Sequence, residues 1–78
     1  MNKIEREKIE EVSLLFKDSG VEIPEETLRK LSKRAKKRGT NLVSEIKKIG
    51  DPEAKPESLY FQIYMATLNL NLIDLNKI

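Results

Sequence analysis

Apolar side chains recur at helical spacing along residues 2–18. At about 100° per residue, Ile4, Ile9, Val12, Leu15 and Phe16 share one face, with Glu7, Glu10, Glu11 and Lys17 mostly off it. Ser19-Gly20 supplies a stop, because glycine accepts the left-handed conformation common just past a helix end. Val21-Glu22-Ile23 alternates and reads as a brief strand or an extended connector. Pro24 suits the first position of a second helix, with Glu25 and Glu26 at the positive end of its dipole. That helix runs to about Arg38 on a narrow stripe of Leu28, Leu31 and Ala35, and Gly39 ends it. Thr40 or Asn41 can cap a third, short helix with Leu42, Ile46 and Ile49 on one side. Gly50-Asp51-Pro52 stops it and opens a linker over 50–57.

The last segment has a different pattern. From a start near Pro56 or Ser58, the spacing predicts a helix to near the C-terminus that is apolar on two opposite sides. Phe61, Met65, Leu68, Leu72 and Leu75 align on one, and Leu59, Ile63, Ala66, Leu70 and Ile73 on the other. Gln62, Asn69 and Asn76 fill one polar seam, and Thr67, Asn71 and Asp74 the second. A helix apolar on both sides must be covered on both sides. The expectation is that the first three helices cover one side and a second copy or another protein covers the other. Leu59, Ile63, Ala66, Leu70 and Ile73 are the candidates for that partner interface.

Seventy-eight residues make a single domain, 1–78, of the all-α class: a small four-helix domain with a long C-terminal helix. A chain this short buries roughly 60% of its unfolded surface, and its stability is expected at about 4–12 kcal/mol. The sequence holds no cysteine and no histidine. Thiolate and imidazole metal sites, disulfides, the strongest nucleophile and the commonest general base are therefore missing. No metal, cofactor or small-molecule substrate is expected, and no catalytic residue is assigned. Met1 to Glu7 lacks the apolar core of a signal peptide, and no run of eighteen apolar residues is present. A cytoplasmic protein without a membrane span is the expectation.

A net charge of +2 conceals strong segregation. Residues 1–28 carry four basic and eight acidic side chains, a balance of −4. Residues 29–48 carry nine basic side chains against Glu45 alone, a balance of +8, and residues 49–78 come to −2. On a helical projection Arg29, Lys33 and Lys36 lie opposite the apolar stripe, with Lys30, Arg34 and Lys37 on one flank. Such a patch is the electrostatic footprint of a phosphate-backbone binder. It is also what a solvated helix face, a dock for an acidic protein (the chain's own first helix included), or a membrane-surface contact would show. No aromatic residue interleaves it, so base stacking is not indicated.

Residues 21–49 resemble the ribbon-helix-helix DNA-binding family. Pro24 with Glu25-Glu26, then Leu28, Leu31, Ala35, Gly39 and Glu45-Ile46, take the places of that family's helix opening, core, turn and second-helix motif. The resemblance implies a short strand at 21–23 and a dimer whose paired strands enter the major groove. It also implies phosphate binding at the start of the second family helix, near Thr40 and Asn41. This sequence differs in placing a whole helix before the strand position and an acidic residue, Glu22, on it.

The sequence thus points to a non-enzymatic binding module associated with DNA or RNA, acting as an oligomer. Its candidate nucleic-acid contacts are Arg29, Lys30, Lys33, Arg34, Lys36, Lys37, Thr40 and Asn41. The alternative is an accessory subunit or adaptor that binds a protein through the C-terminal helix, 58–78.

Overall fold

In the computed structural model, which describes residues 3–70, the chain is all-helical: α1 (Lys3–Asp18), α2 (Glu25–Arg38), α3 (Leu42–Ile49) and α4 (Leu59–Leu70). The eight-residue α3 is the hub, since α1, α2 and α4 all pack on it and α1 also packs on α2. Its short run Leu42, Val43, Glu45 and Ile46 is buried, so it spends half of its residues on the interior. Around it close Ile9, Val12 and Phe16 of α1, Leu28 and Leu31 of α2, and Ile63 and Ala66 of α4.

Local chemistry sets the boundaries. α1 ends as the Val21 N–H donates back to the Phe16 carbonyl at 2.9 Å. The stripe expected on α1 buries Ile9, Val12 and Phe16, whereas Ile4 in the first turn is 77% exposed. No strand occurs among the described residues. The alternation at 21–23 instead lays Val21 and Ile23 into the core with Glu22 outward, so the segment works as an extended connector within the chain. Pro24 lies one position earlier than expected: it is the N-cap of α2, and its carbonyl accepts the Leu28 N–H at 3.1 Å. Gly39 closes α2 in the left-handed region at φ 71°, which lets the Thr40 N–H reach the Ala35 carbonyl at 2.9 Å. Asn41 rather than Thr40 caps α3, its Oδ1 accepting the Ser44 N–H at 2.8 Å.

The 50–57 linker is a pair of turns that seats α4. Asp51 Oδ1 accepts the Glu53 N–H at 2.9 Å, and the Asp51 N–H donates to the Tyr60 carbonyl at 3.1 Å. Ser58 Oγ accepts the Tyr60 N–H at 3.1 Å, so Ser58, not Pro56, starts α4. Gly50 makes the closest approach, since a Cβ there would stand 3.1 Å from Tyr64 Cα and 3.4 Å from Ile63 Cγ2.

This seating corrects the expected orientation of α4. Ile63 and Ala66, expected at a partner interface, are 0% and 2% exposed within the chain's own core. Leu59 and Leu70 are half-buried against that core. Ile73 and the expected continuation of the helix lie outside the described residues. The linker reaches α4 at the Tyr60 carbonyl and the Tyr64 backbone, with the Ile63 side chain beside Gly50. The outward side is the other one, with Met65 41% and Leu68 60% exposed.

Candidate functional site

Burial of Leu28, Leu31 and Ala35 turns the opposite side of α2 to solvent, and every basic residue from Arg29 to Arg38 is exposed. Ion pairing divides these cations into two groups. Arg29 Nη2 reaches Glu25 at 3.4 Å, one turn back on the same helix. Lys36 Nζ crosses to Glu5 of α1 at 3.1 Å, so one of the six cations is tied to the chain's own acidic helix. Arg38 turns away to Glu45 of α3.

Lys30, Lys33, Arg34 and Lys37 form no ion pair among the described residues. They stand one and two turns apart and occupy an arc of about 100° on the helix, spanning roughly 10 Å of its axis. Four like charges crowded this way repel one another, a cost that a polyanion removes. The paired cations, Arg29 and Lys36, border this arc on one side. Six candidates from the sequence thus resolve into four free cations and two restrained ones. Ion-pair partners across helices, such as Glu5 for Lys36, leave no signal in a single helix's spacing.

Thr40 and Asn41 are engaged within the chain. The Thr40 hydroxyl donates to Glu45 Oε2 at 2.7 Å, and Asn41 holds the α3 N-terminus. The residue that sequence reasoning missed is Glu45. Its side chain is 1% exposed and gathers the Thr40 hydroxyl, Arg38 Nη1 at 3.3 Å and Lys48 Nζ at 3.2 Å. The Thr40 hydrogen bond, with further help from Lys48 and Arg38, holds its carboxyl below the ordinary carboxylate range against the opposing effect of burial. This carboxylate fastens the end of α2 to α3 and places a negative charge beside the start of α3, where an incoming phosphate would be repelled. Its signal in the sequence was its isolation, as the lone acidic residue among nine basic ones.

Elsewhere, an open groove between α1 and α2 is lined by Ile9, Glu10, Ser13, Leu14, Glu25 and Leu28. No grouping of acidic residues that could hold a metal ion occurs among the described residues, and none of their helices is long and apolar enough to cross a membrane. The chain matches no protein-family model, no curated protein and no solved structure. The likeness of residues 21–49 to ribbon-helix-helix proteins therefore rests on the motif residues alone.

Proposed function

We propose that this chain is a non-enzymatic nucleic-acid-binding module that grips phosphates with Lys30, Lys33, Arg34 and Lys37 on the outer side of α2. The observation that carries the reading is the arc itself: four exposed cations that form no ion pair among the described residues, on one helix whose opposite side is buried in the core. Phosphate contacts of this kind position a protein on nucleic acid without reading sequence. The binding is accordingly strong at low salt and indifferent to base order. Arg29 and Lys36 contribute less, because each must first give up its carboxylate. The experiment is a binding titration on duplex DNA and on RNA at low salt, with the wild-type chain and a Lys33→Glu/Lys37→Glu variant. Loss of binding in the variant, with its helical circular dichroism unchanged, supports the reading. Equal binding by both chains overturns it.

A second reading, an accessory subunit that docks on a protein through α4, is favoured by the exposed Met65 and Leu68. Its interface residues then belong to the outward side of α4 rather than to the Ile63 side. Reversing charge on α2 leaves such a partner bound, whereas Leu68→Glu releases it.

A further inference from the structure

The outer side of α2 offers a nucleic acid charge and little else. Lys30, Lys33 and Lys37 end in ammonium groups, point charges without the planar fork that reads a base edge, and Arg34 is the one guanidinium among them. The two hydroxyls of α2, Thr27 and Ser32, fall outside the arc on the helical projection, and both are half-buried. α2 holds no asparagine or glutamine, and Asn41 just beyond it is committed to the Ser44 N–H. Aromatic rings are missing from this side as well. Phe16 is buried in the core, and the other three, Tyr60, Phe61 and Tyr64, belong to α4, which packs on α3.

These features weigh against a single strand as the ligand. Proteins that hold single strands lead the backbone along a cationic groove and stack the bases on aromatic rings. Here the cations stand on the convex outer side of a helix. The open groove between α1 and α2 carries Glu10 and Glu25 and would repel a phosphate chain. Glu26 extends that exclusion. Exposed in the first turn of α2, it projects onto the arc one turn before Lys30 and confines anion contact to the helix beyond it. The stretch from Lys30 to Lys37 spans roughly 10 Å of the helix axis. Over that length a duplex carries about six phosphate charges and a single strand about three, so only the duplex carries more charge than the arc. A site with charge and no stacking favours the ligand of denser charge.

We infer that the nucleic acid gripped by α2 is double-stranded, held through the density of its phosphates and not through its bases. The inference rests on the phosphate-grip reading above. Duplex DNA and duplex RNA share this chemistry, so both enter the test. The full chain is titrated, at low and at high salt, with a DNA strand of mixed sequence, the duplex formed from it and an RNA duplex of equal length. Each contact releases about 0.9 counterion from the DNA duplex and about 0.7 from a single strand, so four contacts should favour the duplex by about tenfold at about 50 mM salt. The preference should shrink toward one as salt rises. The RNA duplex should bind with the DNA duplex and above the single strand. The Lys33→Glu/Lys37→Glu chain, with its helical circular dichroism unchanged, should lose the preference together with the binding. A single strand bound as tightly as the duplexes overturns the inference and leaves the phosphate grip standing. A preference that survives high salt, or that holds for one of the duplexes only, also overturns it, by pointing to base or sugar contacts. Failure of all three ligands to bind at low salt overturns the grip itself and the inference with it.

Discussion

α2 and α4 each turn one side to the core and one to solvent, yet only α2 shows from its sequence which side is which. Its apolar residues fall in a single stripe, and Leu28, Leu31 and Ala35 are all buried. Water selects the other side, because no arrangement buries Lys33 or Lys37 without a partner. On α4 both sides are apolar, so hydrophobicity alone leaves a two-fold ambiguity. Contact geometry accompanies the choice: the 50–57 linker passes so close to Tyr64 that a Cβ at position 50 would stand 3.1 Å from its Cα, tighter than ordinary contact, and Ile63 and Ala66 face inward. One-sided stripes are settled by transfer free energy, two-sided ones by steric fit, and steric fit depends on residues far away in sequence.

The sharpest break of the comparison comes from truncating α4 on each side in turn. Ile63→Ala, at a site with no exposure, should cost about 2–5 kcal/mol, a large share of a small domain's stability. Leu68→Ala should change the stability of a single chain by about 0.5 kcal/mol or less. Urea unfolding of both variants, at concentrations low enough to keep the chain single, measures the ratio. Equal costs would mean that α4 has no preferred inward side. Gly50→Ala comes next. Gly50 has φ −64°, so alanine brings no backbone strain, and the cost of about 1–3 kcal/mol arises wholly from contact with the α4 backbone. A neutral result in the same unfolding assay would remove the steric reason for the choice of side.

A pH series sharpens the account of the α2–α3 junction. The Glu45 carboxyl is held below its ordinary value in the folded chain, so its contribution is complete at neutral pH. It declines as pH drops beneath the ordinary carboxylate range, where the unfolded chain takes up the proton first. It is gone once pH passes below the depressed native value. The stability gap between wild type and Glu45→Gln should therefore be widest at neutral pH and close in acid. A gap that widened in acid would contradict the assignment. The smallest effect belongs to the exposed Lys36–Glu5 pair: Lys36→Ala should shift stability by about 1 kcal/mol or less and lessen further with salt.

Much of the fold was legible because local signals agreed. Gly39 after Lys36-Lys37-Arg38, Asn41 before Leu42, and Ser58 before Leu59 each mark a boundary through a hydrogen bond that the structure contains. Val21-Glu22-Ile23 was less legible, since alternation serves a strand and a connector equally, and Val21 and Ile23 find their cover within the chain. The candidate site was legible as a group of cations and illegible in its division. The carboxylates of Glu5 and Glu45, which withdraw Lys36 and Arg38, reach them across helix boundaries. Phosphate binding near Thr40 and Asn41 was implied by the ribbon-helix-helix resemblance, and both side chains are engaged within the chain at the turn between α2 and α3.

The central claim is that four cations on α2, unpaired among the described residues, act together on phosphates. Its most direct measurement is the affinity of the wild-type chain for duplex DNA as a function of salt. The expected plot of log affinity against log salt is linear with a slope of about −3 to −4, each of Lys30, Lys33, Arg34 and Lys37 changed to alanine lowering its magnitude by about 1. A slope near zero, or one that keeps its value when Lys33 and Lys37 are removed, would contradict the account.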